Sequence, residues 1–144
     1  MYKLYIAALS VFLFSACKKE VESTAPGITF KSISPSAVEI GKDNITITFS
    51  YSDNDGDLGE NSADVKNMFV KDNRNGVLYQ FRIPQLAPSG ATIAIQGDLN
   101  IAMPNVGISD GKTSESATFD IYVKDRAGNQ SNTVTSTTVT ITAP

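Results

Sequence analysis

Across residues 44–51 hydrophobic and polar side chains alternate. Ile45, Ile47, Phe49 and Tyr51 fall on one face, and Thr46, Thr48 and Ser50 on the other. Period two carried by β-branched and aromatic residues predicts a half-buried strand. The apolar pattern stops at Asp53. From there Asp53, Asp55 and Asp57 take every other position, with Gly56 and Gly59 among them. A core strand therefore runs straight into an acidic loop.

The same alternation returns in short bursts along the rest of the chain. A strand over 28–33 closes at Pro35, which has no N–H to give to a ladder and so marks a strand end or an edge. A turn at 41–44 precedes the core strand. Strands over 67–71 and 77–83 flank Asn75-Gly76, the strongest short hairpin signal; Val77, Tyr79, Phe81 and Ile83 share one face of the second arm. Another strand is expected over 91–96, extended by 98–101, and then a long connection over 103–112. Over 116–124 the alternation predicts Phe119, Ile121 and Val123 inward, with Asp120, Tyr122 and Lys124 outward. A turn at 125–129 leads to a last strand over 132–142. There Val134 and the pair Val139/Ile141 lie on opposite parities, which predicts a bulge or a change of partner. No stretch carries a helical period. About seven short strands separated by turn signals predict an all-β fold, an antiparallel sandwich over residues 28–144.

Two motifs sharpen that expectation. The segment F-D-I-Y-V-K-D-R-A-G-N-Q-S-N resembles the final hairpin of bacterial immunoglobulin-like and fibronectin-like domains, with Asp125, Ala127, Gly128 and Asn129 at the matching positions. The resemblance implies an immunoglobulin-like sandwich, although the Cys–Trp–Cys core of antibody domains is missing. The stretch Y-x-D-x-D-G-D-L-G, matched by Tyr51, Asp53, Asp55, Gly56, Asp57, Leu58 and Gly59, is similar to one found in single-domain surface lipoproteins.

The N-terminal segment fits that second likeness. Lys3 precedes an apolar run over 5–14, which is too short for a spanning helix of about twenty residues. Ser15-Ala16-Cys17 then resembles the lipobox of bacterial lipoproteins, with Phe14 where that family prefers Leu. The resemblance implies a signal peptide over 1–16, lipidation of Cys17 and anchorage in the outer membrane. Each buried methylene contributes about 0.8 kcal/mol, so one acyl chain holds reversibly and two or more hold firmly. The alternative is an ordinary secretory signal with an incidental cysteine. Residues 17–27 lack periodicity and read as a flexible tether. The charged patch Lys18-Lys19-Glu20-Val21-Glu22 partly resembles signals for display at the cell surface; a periplasm-facing position is the alternative.

Composition narrows the chemistry. The formal charge is −3, and removal of residues 1–16 takes it to about −4. An acidic surface argues against nucleic acid as a partner. The chain has no His, and Cys17 is its one cysteine. A serine–histidine triad, a cysteine–histidine dyad, an ordinary zinc site and an intrachain disulfide are thereby excluded.

Three carboxylates within five residues repel one another unless something neutralises them. Calcium does so with oxygen ligands at alternate loop positions. With Asp53 as position one, Asp55 is third, Asp57 fifth, Asn61 ninth and Asp64 twelfth. The rhythm is that of an EF-hand loop, but Leu58 stands where that loop needs glycine, Asp64 replaces its final Glu, and a strand precedes it. In an immunoglobulin-like sandwich the 125–129 turn emerges at the same end. The candidate calcium ligands are thus Asp53, Asp55, Asp57, Asp64, Asp125 and Asn129. Solvated Asp, Asn and Gly residues closing tight turns are the alternative.

Phe69 and Tyr122, both outward on neighbouring strands, form a second candidate, able to stack on a glycan or dock a protein strand. A cross-strand pair that only stiffens the sheet is the plainer reading. Catalysis by Asp55 and Asp57 is disfavoured, because an exposed loop offers no pocket to split their pKa values. The expected function is a lipid-anchored, non-catalytic binding or accessory module of the cell envelope. A structural spacer or assembly component is the alternative.

Overall fold

The computed structural model describes residues 23–104 and 106–144. The signal peptide expected over 1–16 and the lipidation site at Cys17 lie outside the described residues. Within them the fold is all-β, with strands β1 (Gly27–Ser34), β2 (Ala37–Glu39), β3 (Ile45–Asp53), β4 (Met68–Asp72), β5 (Leu78–Phe81), β6 (Ile95–Met103), β7 (Ser114–Ala117), β8 (Phe119–Val123), β9 (Val134–Thr135) and β10 (Val139–Thr142).

The strands form three sheets, ordered β1-β3-β6, β5-β4-β8-β9 and β2-β10-β7. All pairings are antiparallel except β2 with β10, which is parallel. One apolar cluster joins them. Ile45, Ile47 and Phe49 of β3 are buried, as the alternation predicts, and they meet Met68 and Val70 of β4, Phe119, Ile121 and Val123 of β8, and Val139 and Ile141 of β10. Burial of a side chain of this size contributes about 1.5–3 kcal/mol, so β3 is a principal contributor to the core.

Several expected boundaries move. The strand placed at 91–96 begins only at Ile95 and runs on to Met103, paired along its whole length with β3. Ile93 is exposed because it precedes that ladder. The second hairpin arm shortens to Leu78–Phe81, and Val77 is exposed before it. The predicted strand over 116–124 is divided: β7 pairs with β10 and β8 with β4, with Thr118 as the crossing point between sheets.

The parity change near the C-terminus is a change of partner. β9 pairs with β8, and β10 pairs with β7 and β2. Since β9 has only two residues, buried serines complete its ladder. The Phe119 N–H donates to Ser136 Oγ and the Val123 N–H to Ser131 Oγ, each at 3.0 Å. A buried N–H left without an acceptor would cost about 1–3 kcal/mol.

Candidate metal centre

Asp53 is the last residue of β3 and shares the inward parity of Phe49 and Tyr51. It occupies a position where the strand pattern would place an apolar side chain, and it is only 1% exposed. Its Oδ2 accepts the Leu58 N–H at 2.7 Å. Leu58 is itself fully buried and pins the loop to the core. Gly56 and Gly59 let the chain turn this tightly. Both have left-handed φ values, 73° and 93°, and a Cβ at either would collide with a carbonyl, of Ile93 or of Pro84.

This turn gathers Asp53, Asp55 and Asp57. One carboxylate oxygen from each lies within 4.8 Å of the other two. Oxygens that share a calcium at about 2.3–2.6 Å lie at most about 5 Å apart, so the spacing suits one ion. The Oδ1 atoms of all three are buried and accept no hydrogen bond. Desolvated, unpaired carboxylate oxygens are costly, and clustering adds repulsion. Burial foremost, then the Asp55 and Asp57 carboxylates, push Asp53 up to about 6, against the pull of the Leu58 N–H. Asp57 is raised as well, first by burial and then by Asp125 and Asp55, while Ala127 N–H and Arg126 oppose the shift. An all-oxygen, anionic set of this kind fits a hard divalent cation.

The 125–129 turn does meet the acidic loop. The Arg126 N–H donates to the Asp57 carbonyl at 3.2 Å, and the Ala127 N–H to Asp57 Oδ2 at 3.1 Å. The Arg126 guanidinium reaches the Gly59 carbonyl at 2.9 Å and the Gly56 carbonyl at 3.4 Å. Arg126 thus clasps the loop from across the chain. Its only sequence signal is a cation in a turn that the topology carries to the acidic end.

Asp64 and Asp125 are not members of the group formed by the Asp53, Asp55 and Asp57 carboxylates. Asp125 is buried beside them, but both its oxygens are engaged within its own turn, accepting Asn129 N–H at 2.7 Å and Asn129 Nδ2 at 2.9 Å. Asn129 gives only its N–H groups to these bonds, which leaves its side-chain carbonyl oxygen uncommitted. Asp64 is exposed, farther along the loop. Asn61, also exposed, donates its side-chain amide to Gln85. The calcium-like rhythm therefore ends at Asp57, where Leu58 turns into the core.

Phe69 and Tyr122 face each other across β4 and β8 and stack with ring centroids 4.9 Å apart and planes 12° from parallel. The Lys124 ammonium lies 5.6 Å from the Phe69 ring centroid. The rings spend stacking surface on each other, the geometry of a cross-strand pair. Comparison of the chain with protein-family models, with curated proteins and with solved structures finds no match.

Proposed function

We propose that this chain is a lipid-anchored, non-catalytic module of the bacterial outer membrane, built on an immunoglobulin-like sandwich and stabilised by one calcium ion at its acidic tip. Its partners beyond the membrane are a glycan or a protein rather than nucleic acid. The immunoglobulin-like reading is supported by strand order: β1-β3-β6 and β5-β4-β8-β9 correspond to the A-B-E and C′-C-F-G sheets of that architecture.

One observation carries the calcium reading: a nearly fully buried Asp53 whose Oδ1 has no donor, beside two more unpartnered carboxylate oxygens. Calcium would be held by Asp53, Asp55 and Asp57, with the Arg126 clasp fixing the loop. It would supply the positive charge that the site lacks. A ligand that binds only the native state at a hundredfold above its Kd adds about 2.7 kcal/mol of stability. The thermal midpoint should therefore rise in millimolar calcium and fall back with chelator, and Asp55→Asn with Asp57→Asn should remove the rise. A midpoint that calcium leaves unmoved contradicts the reading.

A further inference from the structure

The polypeptide enters the sandwich at the carboxylate tip. The Ser23 carbonyl accepts a hydrogen bond from Asn54 Nδ2 at 3.1 Å, within the acidic loop. Pro26 is buried, and Gly27 pairs with Ser52, the residue before Asp53. The chain from Cys17 to Ser23 spans at most about 22 Å when fully extended. An acyl group on Cys17 would hold the acidic loop within that reach of the membrane surface. The opposite pole, where Ser34 meets Thr46, would face away.

We propose that the carboxylate tip faces the anchoring membrane and that its calcium takes phosphate oxygens from anionic lipid headgroups. This rests on the calcium and lipid-anchor readings above. Calcium needs about 6–8 oxygen ligands, and one oxygen from each of Asp53, Asp55 and Asp57 leaves positions unfilled. The Gly56 and Gly59 carbonyls already accept from Arg126. The Oδ1 atoms of Asp55 and Asp57 are buried, but both residues are partly exposed, and it is from that exposed edge that an external phosphate would complete the shell. The charge balance makes the contact conditional. Asp53, Asp55, Asp57 and Asp125 face one guanidinium, so the unloaded tip is anionic and repelled by an anionic bilayer. Calcium offsets most of that charge and bridges the two surfaces.

The test uses the mature chain, residues 17–144, with Cys17→Ser, so that neither the apolar segment over 5–14 nor an acyl group can hold it to a vesicle. It is floated with vesicles of phosphatidylglycerol or of phosphatidylcholine, in calcium or in chelator, and calcium binding without vesicles is followed in parallel by calorimetry. The expected result is calcium-dependent flotation with phosphatidylglycerol, lost in chelator, with phosphatidylcholine and in the Asp55→Asn, Asp57→Asn double variant. Calcium binding without flotation overturns the membrane contact and leaves the calcium reading standing. No calcium heat overturns both. Equal flotation in chelator assigns the attraction to another part of the chain and also overturns the proposal.

Discussion

At the scale of single residues, Asp53 is the least ordinary position in the domain. An acid at the end of an apolar strand is legible in the sequence; that it sits inside the core's edge with one oxygen unpartnered is not, because parity alone does not fix depth. Its folded pKa, about 6, lies above the 3.8 of the unfolded chain. Between those values the native state binds the extra proton, so stability of the metal-free protein should fall as pH rises from about 4 to about 6 and then level off. The Asp53 contribution is about 3 kcal/mol, and Asp57 acts in the same direction. With calcium bound the slope should reverse, because protons then displace the ion. Urea unfolding across that pH range, with chelator and with calcium, checks both signs.

Another buried carboxylate has its partner within the chain. Arg74 forks onto Asp72, with Nε–Oδ1 3.0 Å and Nη2–Oδ2 2.6 Å, and its Nη1 donates to Glu115 at 2.9 Å. Its side chain is 8% exposed and that of Asp72 fully buried. The sequence marks 72–76 as a hairpin turn. It gives no sign that the turn's arginine reaches Glu115, because that contact depends on how the connection after β6 folds back. Arg74→Ala should destabilise the domain by about 3–5 kcal/mol, measured by denaturant unfolding, since it leaves Asp72 buried and unpaired.

At the scale of elements, strands with clean alternation were the readable ones. β3, β4 and β8 fall close to where period two places them, with the expected faces inward. The misplaced parts are those where pairing overrides composition. β6 is chosen by its ladder with β3 rather than by the apolar run at 91–95, and Thr118 divides one alternating segment between two sheets. The stacked Phe69 and Tyr122 belong to this scale, because the β4–β8 register puts them opposite one another. Tyr122→Ala should cost about 1 kcal/mol of stability through the lost stacking, read by thermal or denaturant unfolding. An unchanged stability would free the ring for a ligand-binding role.

At the scale of the whole molecule, two remote loops and the chain entry meet at one end. The acidic loop after β3, the turn before β9 and Ser23 are joined there by Arg126, Ala127 and Asn54. The sequence indicates that the two loops share a pole once a sandwich is assumed. It could not indicate that the turn would also deliver backbone donors and a guanidinium to the acidic loop, since Asp125 and Asn129 look equally suited to closing their own turn. A cation among Asp53, Asp55 and Asp57 would hold this end together, and the most direct measurement is a crystal structure of the protein grown in calcium. It should contain one ion with an oxygen of each of those three residues about 2.3–2.6 Å away. A structure without the ion, in which Asp53 Oδ1 meets a protonated neighbour instead, would contradict the calcium reading.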